Sequence, residues 1–411
     1  MLITASVLLV LTVASALLQV IWAHRFLNLY RPVDSTDSYC PKVLVVLSLR
    51  GADPFLHNCL AALFRQDYPS HHIRIIVDSR ADPAWKVVQE VIDETGATHV
   101  ELRELETPLG TCGLRVNALL QATTDLDPSC EIVAWLDADT LPYPQWLRDM
   151  VRPFQNPKVG ATSGIRWYVP AFSNLGTLVR TAWNVAGVIQ MVSFRMAFGG
   201  SLAYRASLLR DTTLRRQWSR ILWEDVHTCR TVEDRGLRLE FVGAATLATR
   251  ERISLAGCMR FLSRQMLNVR LYHSAFRLIA LHSILMVAVP AGAIALMVFA
   301  AMSEQPFAAA LSLGVLLVHA AGMLYACLRC GYCVRRSIVA RGEPPWEAPW
   351  AMTPAVFFTP VIYLISIGRA AISRAIEWRS IQYKVRGPYE IDLVSYHPYT
   401  PPAATDKAES I

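Results

Sequence analysis

Two aspartates one residue apart, Asp137 and Asp139, close the apolar run "IVAWLDAD". Carboxylates held this close call for a partner: a hard divalent cation such as Mg²⁺ or Mn²⁺, a basic side chain, or water if the site is only a loop tip. If extended geometry continues past Leu136, both side chains point to one face of the strand. A second D-x-D, Asp125 and Asp127, lies in "TTDLDPSC", where Pro128 and the polar residues around it predict a solvated turn. Asp78 ends another apolar run, "IRIIVDS". Cys327, Cys330 and Cys333 form C-x-x-C-x-x-C, a spacing able to bind metal. No further ligands lie nearby, which favours a structural thiol cluster or an acylation site.

The elements that must position these carboxylates alternate in type. "KVLVVLSL", "IRIIVDS", "HVELREL" and "EIVAWLDADT" read as buried strands, and "DPFLHNCLAALFRQ", "PAWKVVQEVIDETG" and "CGLRVNALLQAT" as the helices between them. Asp53 with Pro54 is the expected cap and first-turn pair of the first helix, and Gly96 the stop of the second. Such alternation predicts an α/β domain over residues 41–260 with a largely parallel sheet covered on both faces. Ligands of these sheets bind at the carboxyl ends of the strands, where Asp78, Asp137 and Asp139 all emerge. No G-x-G-x-x-G or Walker loop is present, so a nucleotide's phosphates need neutralising by other means. A carboxylate-bound Mg²⁺ or Mn²⁺ would serve.

Of the 411 residues 53% are hydrophobic, which excludes a purely soluble globule. Residues 1–24 predict a retained transmembrane anchor, 278–328 a transmembrane hairpin turned by "SEQP", and 261–277 an interfacial helix. Arg25, Arg31, Arg329, Arg335, Arg336 and Arg341 place the α/β domain on the cytoplasmic side. A complete crossing by residues 351–368 would export Arg369, Arg374, Arg379, Lys384 and Arg386. That segment, interrupted by Pro354 and Pro360, is therefore expected to be re-entrant or to lie in the interface rather than to cross as a transmembrane helix, with 369–411 a cytoplasmic tail. In that tail Trp378, Arg379, Tyr383 and Lys384 are candidate membrane anchors. Nine cysteines do not suggest a secreted disulfide framework. The net charge of +7 is juxtamembrane in origin; no nucleic-acid module accompanies it, and no protein partner can be named.

The stretches "LRGADPFLHNCLAALFRQDYP", "IIVDS", "CGLRVNALL", "WLDADT", "FGGSLAYRASLL", "WEDVHTCRTVEDRGLRLEFV", "RQMLNVRLY" and "IEWRSIQYKVR", in that order, resemble the inverting GT-A glycosyltransferases of family 2, in their ceramide glucosyltransferase-like branch. The resemblance implies a Rossmann-like GT-A domain with a mostly parallel sheet. It also implies transfer of a hexose from a nucleotide-sugar, UDP-linked in that branch, to a lipid acceptor at the bilayer. Asp78 is then expected at the base or ribose, Arg115 near the nucleotide, Asp137 beside the sugar and Asp139 on the metal. Asp225 takes the position of the general base with Glu224 beside it, while Gly199, Gly200 and Ser201 line the acceptor side. Arg264 and Gln265 face the diphosphate. A structural alternative for Asp225 is a helix-start residue serving backbone donors. Where many members carry Q-x-x-R-W, Gln265 is followed by Asn268 and Val269, with Arg270 next, a departure that argues against processive synthesis. His227 and His273 read as structural, and Trp167 and Trp183 as core or as an acceptor wall. The competing functions are a processive polysaccharide synthase and a silent membrane scaffold.

Overall fold

The computed structural model describes residues 1–31, 39–106, 108–347, 350–397 and 399. Helix α1 (Leu2–Asn28) leads into the α/β domain: β1 (Val43–Leu49), α2 (Leu56–Phe64), β2 (His71–Val77), α3 (Pro83–Thr95), β3 (Val100–Glu104), α4 (Leu114–Ala122), β4 (Ile132–Leu136) and α5 (Trp146–Val151). There follow β5 (Val159–Tyr168), α6 (Leu175–Phe194), β6 (Ser201–Arg205), the short α7 (Ala206–Leu209), α8 (Thr212–Trp218) and α9 (Thr228–Glu233), and β7 (Arg238–Thr249). The chain then forms α10 (Leu255–Tyr272), α11 (Phe276–Met302), α12 (Pro306–Ala340) and α13 (Met352–Ile372), and ends in β8 (Ala375–Trp378), β9 (Ile381–Gly387) and β10 (Glu390–Tyr396).

Seven strands form one sheet in the order β3-β2-β1-β4-β6-β5-β7. All its pairings are parallel except those of β6, which runs antiparallel to both β4 and β5. Strand periodicity sends Val43, Val45 and Leu47 into one core, and Leu44 and Val46 into the other, so both faces are covered. Helix α3 follows its sequence signals: Asp82 accepts from the Ala84 N–H at 2.8 Å, Pro83 opens the helix, and Gly96 ends it in the left-handed region. Helix α2 departs from them. It starts at Leu56 without a side-chain cap, because the Asp53 carboxylate is drawn away to Arg379 at 2.5 Å.

Four helices, α1, α11, α12 and α13, are long and apolar enough to cross a membrane. The interfacial helix begins at Leu255, before the expected 261, and is separated from α11 by a break at residues 273–275. Cys327, Cys330 and Cys333 lie on α12, and Cys327 and Cys330 pack in the cluster that holds Phe26 of α1. Helix α13 is continuous through Pro360. Just past α12, Glu343 and Pro344 meet Arg250 of the α/β domain; at the end of α13, Arg270 of α10 donates to the carbonyls of Ala370, Ala371 and Ser373 at 2.6–2.8 Å.

The segment expected as a tail forms a three-stranded antiparallel sheet from β8 to β10. Of the suggested anchors, Tyr383 is buried, its hydroxyl accepting from the Leu114 N–H at 3.0 Å, and Trp378 and Arg379 line the cavity described below; Tyr389 bonds His227 Nε2 at 3.0 Å. Tyr383→Phe leaves the first N–H of α4 unpaired in a buried position. It should lower unfolding free energy by about 1–3 kcal/mol, read from denaturant unfolding of the detergent-solubilised protein.

Candidate active site

Strand β4 ends at Leu136, and residues 137–140 form a turn in which the Asp137 carbonyl accepts from the Thr140 N–H at 3.3 Å and hydroxyl at 2.6 Å. Asp137 and Asp139 face one space because of this turn, rather than because the strand continues. They line a cavity of about 560 Å³ together with Gly199, Gly200, Glu224, Asp225, Arg264 and Gln265. The cavity runs from the carboxyl ends of β1 and β4 to Trp183 of α6, Phe261 of α10 and Arg369 of α13.

Arg115 holds the acidic groups together. Its guanidinium pairs with Asp137, with Glu224 Oε1 at 3.1 Å, and with the Gly199 carbonyl at 2.7 Å. Arg115 lines the cavity as well, with three of its nitrogens bonded to protein acceptors. Desolvation works against its charge, but the Asp137 and Glu224 carboxylates outweigh it and raise its pKa. Glu224 is 1% exposed, and burial raises its carboxyl. Asp225 is oriented by two donors to Oδ1, the Asn268 side chain and the Val226 N–H, both at 2.7 Å. Burial also raises the Asp225 carboxyl, against the Asn268 hydrogen bond.

Asp139 pairs through Oδ2 with Arg166 at 2.5 Å, whereas its Oδ1 is buried with no partner among the described residues. Burial pushes this carboxyl up, but the Arg166 charge outweighs it, so the net shift is downward. An anionic oxygen left over in an oxygen-lined cleft fits Mg²⁺ or Mn²⁺. Among the described residues no group of three His, Cys, Asp or Glu forms a complete cage, so most of such an ion's shell would come from diphosphate and water. Arg264 stacks over Phe261 at 5.8 Å and makes no ion pair among the described residues. Burial lowers its pKa to about 10. A desolvated, uncompensated guanidinium is an anion site.

Two expected residues fall elsewhere. Ser201 is fully buried and does not line the cavity; its Oγ accepts from Trp146 Nε1 at 2.9 Å, because β6 sits in the sheet interior. Asp78 lies in a small adjoining pocket with Arg115 and Trp378, paired with Arg50 and hydrogen-bonded by Tyr396. Arg270 caps α13 as described and is absent from the cavity. Trp167 stacks on Phe26 at 6.2 Å, while Trp183 reaches the cavity wall. His227 and His273 are hydrogen-bonded structural residues, and burial lowers His227 to about 4.

Arg166 goes unread in the sequence, and Asn268 and Arg379 are read there for other roles. Arg166 is the one charged residue of its strand, a signal that was there to find. Asn268 occupies the place of the motif arginine. Arg379 sits at the β8–β9 hairpin tip with φ 47°, beside Ser380 at 63°, where glycine or asparagine is usual. Its side chain is held by Asp53 and the Arg50 carbonyl.

A model of the family described as glycosyl transferase family 21 matches residues 6–390. The chain belongs to glycosyl transferase family 21. The motifs read as family 2, in its ceramide glucosyltransferase-like branch, whereas the matching family is numbered 21. This family-21 chain is 41% identical over 56 residues to a ceramide glucosyltransferase of Gibberella zeae, covering 13% of this chain and 11% of that protein. It is 35% identical over 85 residues to another from Pyricularia oryzae, covering 19% and 17%. The chain thus matches under a fifth of the length of these curated relatives. In fold it is similar to the mannosyltransferase PcManGT from Pyrobaculum calidifontis, solved with GDP-Man and Mn²⁺: TM-score 0.50, 16% identity, 88% of this chain and 99% of that one. The family-21 chain is therefore a glycosyltransferase on a GT-A-like α/β fold.

In it Gly200 has no room for a side chain: a Cβ there would strike the Asp137 carboxylate and the Phe198 ring. Gly200→Ala should displace Asp137 and reduce turnover by at least about tenfold while the fold persists, as read by initial rates alongside thermal unfolding.

Proposed function

We propose that this family-21 protein is a membrane-bound inverting hexosyltransferase that moves a sugar from a nucleoside diphosphate, UDP by the family resemblance, to a lipid hydroxyl. The carrying observation is that one cavity holds Asp137, Asp139, Asp225 and Arg264 and extends to the membrane-side helices α6, α10 and α13. The ceramide glucosyltransferase names of the relatives point to a lipid, and the Mn²⁺ bound by PcManGT to a divalent cation.

In this reading the acceptor oxygen forms a bond to the anomeric carbon as the bond to the diphosphate breaks. The leaving electron pair stays on the diphosphate, faced by Arg264 and Arg379, and the acceptor proton goes to Asp225. A single displacement inverts the anomeric centre. A divalent ion held at Asp139 supplies further charge stabilisation when bound. Asn268 fixes one Asp225 oxygen and leaves the other for the acceptor. Asp137, fixed by Arg115, orients the sugar, with Gly199 and Gly200 beside it and Glu224 beneath. Gln265 adds a polar contact to the donor, while Asp78 receives the base or ribose from its adjoining pocket.

Asp225→Asn should reduce turnover at least about a hundredfold with donor binding retained, measured as UDP release from UDP-hexoses and lipid extract, with mass analysis of the lipid product. Unchanged turnover removes Asp225 from the mechanism. A base must be unprotonated to act, and burial has raised the Asp225 carboxyl. Activity should therefore fall toward acid with an apparent pKa above the ordinary aspartate value of about 3.9.

The same reading places the catalytic domain at the cytoplasmic leaflet and α13 along the interface. The outward Phe357, Phe358, Val361 and Ile365 of α13 suit acyl chains, and the basic residues that follow it favour a C-terminus on the cytoplasmic side. Reporters inserted after Gly342 and after Ile411 should both read cytoplasmic, and one at Glu304 the opposite side. A periplasmic or lumenal signal after Ile411 contradicts this placement.

A further inference from the structure

Glu251 has no role so far, yet it is among the most deeply buried carboxylates, 5% exposed. Strand β7 runs parallel to β5 and pairs Thr249 with Tyr168, so two residues later the chain delivers Glu251 to the same sheet rim as Asp139. Both side chains line the cavity described above. Each is anchored through a single oxygen: Asp139 Oδ2 to Arg166 at 2.5 Å, and Glu251 Oε2 to Arg180 at 3.4 Å. The two guanidiniums stack on the Tyr168 ring at 5.0 and 4.2 Å, and Arg166 is further tied to Thr249 Oγ1 at 3.2 Å.

The remaining oxygens, Asp139 Oδ1 and Glu251 Oε1, are both buried and both lack a partner among the described residues. Leaving one buried carboxylate oxygen unpaired is costly; two anionic ones at one rim repel each other as well. A frame that holds each carboxylate through one oxygen with an arginine and leaves its second oxygen without a partner among the described residues matches what holds metal ligands in place elsewhere.

We propose that Glu251 is a second protein ligand of the divalent cation, sharing it with Asp139, with Arg166 and Arg180 fixing the two carboxylates. The set is all oxygen, which selects Mg²⁺ or Mn²⁺ over ions that prefer nitrogen or sulfur. This rests on the transferase reading, through the diphosphate that completes the shell.

Mn²⁺ binding to the full-length detergent-solubilised protein, followed by electron paramagnetic resonance with UDP present, tests it without turnover. Glu251→Gln should weaken Mn²⁺ binding at least about tenfold while metal-free UDP binding is kept, and Asp225→Asn should leave Mn²⁺ affinity unchanged. Unaltered Mn²⁺ affinity in Glu251→Gln overturns the assignment while leaving the transferase reading intact. A wild-type protein that binds neither UDP nor Mn²⁺ sinks both. Should Glu251→Gln not fold, the unmodified chain carries the test: Fe²⁺ substituted for Mn²⁺ and treated with peroxide should cut the backbone near both residue 139 and residue 251. Cleavage near 139 alone refutes the second ligand.

Discussion

The architecture depends on holding several carboxyl groups close together at one rim of a sheet. Asp137, Asp139, Glu224, Asp225 and Glu251 all line one cavity. Carboxylates so placed would ordinarily take up protons or move apart. Here guanidiniums enforce the arrangement: Arg115 bridges the β4 turn, the segment before α9 and the loop before β6, while Arg166 and Arg180 lean on Tyr168. Asp139 and Glu251 are each held by an arginine through one oxygen, and the second oxygen of each has no partner among the described residues. The antiparallel strand β6 is a consequence of the same need, because it brings the Gly199–Gly200 backbone against Asp137, where a side chain would not fit.

A buried ion-pair network of this kind is weak evidence of stability and stronger evidence of geometry. The contrast between Arg115 and Arg264 makes the point. Arg115 is saturated by protein acceptors and its pKa is raised, whereas Arg264, stripped of water and given no carboxylate, is pushed down to about 10. One guanidinium is part of the frame, and the other is left with capacity for an anion. The strained hairpin tip at Arg379 belongs with the second kind in location, although Asp53 holds it in place.

Much of this was legible in the chain itself. Alternating apolar runs located β1 to β4, and the strand-end rule brought Asp137 and Asp139 to the rim, because burial writes itself into periodicity. Contacts that depend on distant partners left no such trace. Asp53 reads locally as a cap and becomes the partner of Arg379, 326 residues later. Ser201 reads as part of a glycine-rich acceptor loop, yet strand alternation turns its hydroxyl toward Trp146. Residues 375–396 read as a basic tail, since their strands are short and half-polar; only docking on α4 and His227 makes them a sheet.

Helix α10 explains how a bilayer setting reaches the chemistry. Ser254 caps its start, and within two turns it presents Arg264 and Gln265 to the cavity, Asn268 to Asp225, and Arg270 to the end of α13. A helix places residues about 100° apart per step, so one rigid rod serves both faces at once. Tilting α13 would pull on Arg270, and through less than one turn of α10 on the amide that orients the Asp225 carboxylate. At position 268, where many members of the resembled family carry arginine, a neutral amide donates to the Asp225 carboxylate and fixes one of its oxygens.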